Sequence, residues 1–172
     1  ILYADWIATG RLYRPIEEKL MDDLGPYLAN THSYSSETGK VTSNLYMEAR
    51  DRIKKHVNAD GDDVLVTTGN GMTGALARLQ RIMGLKGPRP SDPREVPVVF
   101  VTHMEHHSNQ VSWQETMADV VIVPPVENMM PCPDRLADLL WKYKDRAHKI
   151  GAFTACSNVT GELVDHKGLA KT

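Results

Sequence analysis

Thr67-Thr68-Gly69-Asn70-Gly71-Met72-Thr73-Gly74 stands between an apolar run, Val64-Leu65-Val66, and a helical pattern carried by Ala75, Leu76, Ala77, Leu79 and Ile82. The order strand, glycine turn, helix start aims several free backbone N–H groups at one spot, where an anion binds. Glycine lets the chain turn tightly there and lets a phosphate come close to the backbone. The stretch is therefore expected to bind a phosphorylated small molecule. As Gly69-x-Gly71-x-x-Gly74 it also matches the dinucleotide fingerprint, a weak pattern when it stands alone. That fingerprint wants an acid at the end of the second strand. Here Asp92 and Glu95 fall in a proline-rich loop, and Thr102-His103 occupy the strand end instead. An NAD(P)-dependent oxidoreductase domain using residues 69–74 stays open as an alternative, as does a tight turn with no ligand.

Working outward from this turn, Pro15 suits the first turn of a helix whose Ile16, Leu20 and Leu24 recur every four residues, ending near Gly25-Pro26. Residues 1–12 read as extended. Residues 30–40, rich in Ser, Thr, His and Gly, read as loop. Leu45, Ala49, Ile53 and Val57 predict a helix over residues 41–57. A short buried strand is expected at residues 64–67 and a helix at 71–84. Four prolines between positions 87 and 97 mark a surface loop. The continuous β-branched run at 98–102 is the pattern of a central parallel strand. Further strands are expected at 120–123 and 149–155, with helices at 109–117 and from Asp134. Alternation of this kind implies an α/β fold, three layers αβα around a mostly parallel sheet. Residues 168–172 read as the opening of a helix, so the chain is expected to be the N-terminal portion of a longer protein.

With 172 residues, 41% hydrophobic and 24% charged, the composition is that of an ordinary globular domain with a core of useful size. A net charge of −2 gives no reason to expect nucleic acid or an anionic membrane surface. The apolar runs are too short to span a bilayer. Cys132 and Cys156 lie in unrelated contexts, without a CxxC or a disulfide framework. A cytoplasmic location is expected.

Two more motifs follow strands. In Thr102-His103-Met104-Glu105-His106-His107-Ser108-Asn109, the histidines at 103 and 107 have ligand spacing only if they share a helix. They fall where a strand ends, and no cysteine or acid cluster joins them, so no metal is expected. An imidazole at the C-terminal edge of a parallel sheet can lie over a planar cofactor and move protons near neutral pH. Solvated imidazoles capping a helix are the alternative. Cys156-Ser157-Asn158-Val159-Thr160-Gly161 follows the last strand, so Asn158 reaches the same edge, where its amide can donate to an oxygen on a ligand. Taken alone, an Asn before a Gly turn is ordinary turn chemistry.

In this order the motifs resemble the class V aminotransferase family, the fold-type I pyridoxal-phosphate group that includes cysteine desulfurases and selenocysteine lyases. Residues 3–9, Tyr-Ala-Asp-Trp-Ile-Ala-Thr, resemble the family's opening segment. Residues 30–36 resemble its Asn-Pro-Ser-Ser loop, and Glu48-Ala49-Arg50 its Ala-Arg helix. Residues 67–72 stand where the family has Thr-Ser-Gly-Gly-Thr-Glu. Glu105-His106-His107-Ser108-Asn109, followed by Trp113, is close to the Glu-His-His-Ala-Asn element of the desulfurase and selenocysteine lyase branch; it is the most specific of the set. Ser157-Asn158-Val159-Thr160-Gly161 is similar to its Ser-Asn-Val-x-Gly.

The resemblance implies a cofactor, pyridoxal 5'-phosphate, held in the large domain of a homodimeric transferase or lyase. Its phosphate would lie on backbone amides of Asn70, Gly71 and Met72. His106 would stack on the ring and act as acid or base, Asn158 would bond the ring oxygen, and Ala8 and Thr9 would lie near an amino-acid substrate. Residues 1–30 would form an N-terminal segment and helix, and 31–172 the N-terminal part of the cofactor domain. Two departures stand out. The family's phosphate-binding Thr falls at Gly71, so Asn70 or Thr73 is expected to replace that contact. The family's Schiff-base lysine, its Asp against the pyridine nitrogen and its nucleophilic cysteine would all come after Thr172. The fragment alone is therefore expected to be inactive. Transamination and epimerisation stay open beside desulfuration, and a non-catalytic binding module of the same fold is the non-enzyme alternative.

Overall fold

Pro15 does open a helix, α1 (Arg14–Lys19). The turn continues as a π-helical segment, Leu20–Leu24, and a 3-10 turn, Gly25–Tyr27, where Pro26 stops it. The computed structural model describes residues 1–6 and 8–172; Ile7 of the opening motif lies outside them. The chain divides into two units, Ile1–Val66 and Thr67–Thr172. In the first unit, α2 (Glu37–His56) begins four residues before the expected start. The Ser36 hydroxyl accepts from the Gly39 N–H at 3.1 Å, a helix cap inside a stretch that reads as loop. Gly39 is required there, because a Cβ would meet the Ser33 carbonyl oxygen at 2.4 Å. Thr42 on the next turn ties the helix to the preceding segment, donating to the Tyr27 carbonyl and accepting from the Ala29 N–H.

The strand expected at residues 64–67 is not formed. β-branched residues make a strand only where a neighbour takes their N–H and C=O groups. Among the described residues none pairs with this run, and Val64 is 81% exposed. The glycine turn is thus entered from an extended, unpaired segment.

The second unit holds the sheet. Helix α3 (Gly71–Ile82) ends before Gly84, whose φ of 73° turns the chain out of the helix. The proline-rich loop then leads to strand β1 (Val98–Val101), buried along its whole length. Next come α4 (His107–Gln114), β2 (Asp119–Ile122), α5 (Pro133–Lys142), β3 (Lys149–Ala152) and α6 (His166–Lys171). All pairing is parallel, in the order β2-β1-β3. Side chains alternate across β1. Val99 and Val101 pack with Leu76, Leu85, Trp113 and Ala118, from α3, α4 and their flanking loops. Val98 and Phe100 pack with Val123, Leu136, Val164 and Leu169, on the side of α5 and α6. Helices therefore cover both faces, which gives the three-layer arrangement. From β1 the chain steps to β2 on one side, then crosses to β3 on the other. The strand order reverses at β1, and ligands bind at such reversals, beyond the carboxyl ends of the strands.

The opposite, N-terminal edge of the sheet is held by charge. Asp119 Oδ1 accepts from Arg89 Nη2 at 2.7 Å, and Oδ2 from Arg146 Nη2 at 2.6 Å. Both arginines also bond backbone carbonyls, of Met117 and Val96. Burial pushes the Asp119 carboxyl up, but the hydrogen bonds and charges of the two arginines outweigh it and hold it below its ordinary value of 3.8. Because the folded-state value is lowered, the stabilisation is complete above 3.8 and is lost as pH falls through the lower folded value. Asp119→Asn is expected to cost about 1–2 kcal/mol at pH 7, discounted for a one-third-exposed carboxylate. Urea midpoints at pH 7 and at pH 3 measure this. The difference between parent and variant should shrink at the lower pH, and an equal difference at both would sink the assignment.

Candidate active site

The glycine turn has the geometry of an anion cradle. Asn70 caps α3 in the left-handed region, φ 63° and ψ 26°, and no side chain bonds the first turn of the helix. Gly71 follows at φ 61°, a conformation that favours glycine. The first N–H to find a backbone acceptor is that of Gly74, on the Asn70 carbonyl at 3.3 Å. The N–H groups of Gly71, Met72 and Thr73 precede it and are the orphan donors of a helix start. A Cβ on Gly69 or Gly71 would meet nothing within 4 Å, so there is open space beside the backbone where an anion needs it. Gly74 serves packing: a Cβ there would lie 2.4 Å from the Gly69 carbonyl oxygen. These features fit a phosphate. The hydroxyl that the family places at position 71 is absent, while Asn70 and Thr73 make no side-chain hydrogen bond among the described residues.

Helix packing sets this turn at the same end of the unit as the histidine motif. Gln80 Nε2 donates to Ser112 Oγ at 3.1 Å, and the Met117 N–H donates to the Leu85 carbonyl at 3.0 Å. Both pairs are 32 residues apart, so α3 and α4 run side by side in the same direction, and their N-termini lie at the same end of the unit.

The histidine motif is organised by Glu105. Its Oε1 accepts from the Thr102 hydroxyl at 2.6 Å and from the Thr102 N–H at 3.2 Å. The same oxygen accepts from the Thr154 N–H, beyond β3, at 2.8 Å. Oε2 accepts from Asn109 Nδ2 at 2.8 Å, and Asn109 Oδ1 accepts from Trp113 Nε1 at 3.0 Å. His106 caps α4, its Nδ1 accepting from the Ser108 N–H at 3.2 Å with the Ser108 hydroxyl at 2.6 Å. An Nδ1 that accepts from a backbone N–H is unprotonated, so the neutral ring carries its proton on Nε2. His103, His106 and His107 are all exposed.

Asn158 sits on a tight turn. The Gly161 N–H donates to the Ser157 carbonyl at 3.0 Å, with Gly161 at φ 75°. Buried Ser157 accepts at its hydroxyl from the N–H groups of Val159 and Thr160, both at 3.2 Å. Cys156 and Leu163 bridge the turn's two arms. The Asn158 amide is exposed and makes no hydrogen bond within the described residues, so it is available to a ligand.

The loops after β1 and β3 share a hollow of about 320 Å³, lined by His103, Met104, Glu105, Ser157, Val159 and Thr160 among others. It opens where the strand order reverses. His106 and Asn158 are sequence neighbours of its lining residues, while the glycine turn does not line it. A larger hollow, about 430 Å³, lies at the other end of the strands near Pro97 and Lys149, away from these motifs. Ala8 and Thr9 belong to the first unit. There the Thr9 N–H donates to the Asp5 carbonyl at 3.2 Å, and the Tyr3 hydroxyl is 2.9 Å from both the Asp5 and Thr9 carbonyls. Sequence reasoning missed Glu105, Asn109 and Thr154 as participants. Positions 105, 109 and 113 recur every four residues, the spacing at which helix side chains meet, and that signal was present.

An α/β unit whose glycine-turn helix start has no side-chain cap bond, and whose strand order reverses at its central strand, is the architecture of a ligand-binding domain. The Aminotransferase class-V family model matches residues 2–172, and the chain belongs to that family. A probable cysteine desulfurase of Halobacterium salinarum is 28% identical over 144 residues, covering 81% of this chain and 33% of that protein. One from Ureaplasma parvum is 25% identical over 174 residues, covering 99% of this chain and 40% of that protein. Among solved structures, the cysteine desulfurase CsdA of Escherichia coli matches with a TM-score of 0.69 at 26% identity, over 98% of this chain and 41% of that one. The apo cysteine desulfurase of Thermococcus onnurineus has the same fold, with a TM-score of 0.75 at 18% identity over 99% of this chain and 40% of that one. The chain thus spans between one third and about two fifths of the length of these relatives.

Proposed function

We propose that the complete protein is a pyridoxal-phosphate-dependent enzyme acting on an amino acid, of the cysteine desulfurase or selenocysteine lyase kind, with residues 31–172 the N-terminal part of its cofactor domain. The observation that carries this is the free N-terminus of α3, with open space beside Gly69 and Gly71, at the same end of the unit as His106. The family membership supports the reading, and so do relatives described as cysteine desulfurases.

When bound, pyridoxal phosphate supplies an electron-withdrawing ring that stabilises negative charge at the substrate's α-carbon. The N–H groups of Asn70, Gly71 and Met72, with that of Thr73 next to them, hold the phosphate at the positive end of the α3 dipole. His106 presents a planar ring for stacking and holds a transferable proton at Nε2, because Nδ1 is engaged by Ser108. Asn158 donates its amide to the ring oxygen. By the family resemblance, Ala8 and Thr9 are assigned to the neighbourhood of the amino acid. A homodimer in the cytoplasm is the working assembly.

Titrating full-length apo-protein with pyridoxal phosphate tests the reading. A new visible absorbance band that saturates at one equivalent per chain, followed by alanine formation on adding cysteine or selenocysteine, with sulfide or selenide released when an added thiol supplies the two electrons, is the expected result. A protein that stays colourless and leaves the added cofactor free would overturn it.

A further inference from the structure

Pairing between β1 and β3 ends at Val101 opposite Ala152. His106 and Asn158 both lie past that last rung, on separate loops. Loops are mobile unless something ties them, and here one carboxylate does so. Glu105 Oε1 takes the Thr102 N–H and hydroxyl from the β1 side and the Thr154 N–H from the β3 side, at 3.2, 2.6 and 2.8 Å. The ladder is in effect continued one step by a side chain. Oε2 takes Asn109 Nδ2, and through Asn109 it reaches the buried indole of Trp113. Every donor is neutral, and among the described residues no arginine or lysine pairs with Glu105. A half-buried carboxylate with four hydrogen bonds and no cation is arranged for geometry.

We propose that Glu105 is the positioning residue of this site. Its carboxylate latches Thr154 to Thr102, and so fixes His106, one residue on, against the Ser157–Gly161 turn that carries Asn158. The ligand in this proposal rests on the reading of the site as a pyridoxal-phosphate site; the latch itself does not.

The polarity of the network supplies a discriminating test. In Glu105→Gln, the new amide must turn an N–H either toward Thr102 and Thr154 or toward Asn109 Nδ2, and all of these are donors. The first orientation disrupts up to three hydrogen bonds and the second only one, so the glutamine keeps its oxygen toward Thr102 and Thr154 and loses the bond to Asn109. Adding Asn109→Asp restores every bond: the glutamine N–H meets an aspartate oxygen, and the other aspartate oxygen accepts from Trp113. The carboxylate has simply moved from 105 to 109.

Amide hydrogen exchange in cofactor-free full-length protein reads the latch directly. Exchange at Thr154 is expected to rise about tenfold or more in Glu105→Ala, which removes the acceptor, and to stay near the parental rate in Glu105→Gln and in the Glu105→Gln/Asn109→Asp pair, which keep it. The dissociation constant for pyridoxal phosphate, from visible absorbance, should rise about tenfold in Glu105→Ala and stay near the parental value in Glu105→Gln and in the pair. Unchanged Thr154 exchange in Glu105→Ala overturns the latch. Raised Thr154 exchange in Glu105→Ala without weakened affinity overturns positioning, and so does weakened affinity in Glu105→Gln at parental exchange, because Glu105 would then act on the cofactor through its charge. Should Glu105→Ala fail to fold, Glu105→Met, of similar length but without an oxygen acceptor, takes its place with the same expected rise at Thr154. Should the parent bind no pyridoxal phosphate, the functional reading fails, while exchange at Thr154 still decides the latch.

Discussion

Trp113→Ala is expected to destabilise full-length protein by about 3–5 kcal/mol, the usual cost of removing a large buried aromatic ring. Trp113 is 2% exposed and packs with Val99, Val101, Leu76 and Leu85 between the sheet and α3. The loss has two parts. One is the cavity left by the indole. The other is Asn109 Oδ1, which loses the indole N–H that satisfies it. Trp113→Phe separates them, because it keeps most of the apolar area and removes only the donor, at about 1–3 kcal/mol. Urea midpoints for the three proteins provide the comparison. A loss below about 1 kcal/mol for the alanine variant would mean that this side chain does not anchor the α4 face of the sheet.

On the proposed reading, His106→Ala in full-length protein is expected to lower turnover of an amino-acid substrate by about 10²–10⁴-fold, the usual contribution of a positioned acid or base. The change removes the ring that Ser108 orients and the Nε2 proton that it presents. It also removes the side-chain cap of α4, a stability cost of about 1 kcal/mol that must be measured separately. His106→Asn is the control, since it keeps a polar side chain of capping type without a titrating ring. Turnover unchanged in both variants would remove His106 from the chemistry. Turnover restored by asparagine alone would assign it only the capping role.

The readings that held depend on local pattern. The β-branched run at 98–101 announces a strand buried on both sides because each residue there has an apolar neighbour above and below. The glycine turn announces the α3 start because Asn70 and Gly71 both need positive φ. Local pattern failed in two ways. Residues 64–67 have the composition of a strand, yet a strand exists only by pairing, and no sequence window contains the partner. Residues 37–40 look like loop because Thr38 and Gly39 are poor helix formers, but Ser36 caps the turn and Gly39 is needed for a close approach to Ser33. The site divides the same way. His106 and Asn158 were legible as polar residues just past strand ends. Glu105 was visible only as a neighbour of histidines, because its role is a bond to Thr154, 49 residues away.

By itself, the sequence determined the elements whose signals are short-range: the turn, the helix faces, the buried central strand and the family to which the chain belongs. Only the tertiary structure decided that β3 crosses to the far side of β1 and that one carboxylate spans the gap this creates. The physical reason is range. Periodicity, capping and φ preference act over three or four residues. Strand order and a hydrogen bond between distant loops are fixed only when both faces of the sheet pack at once.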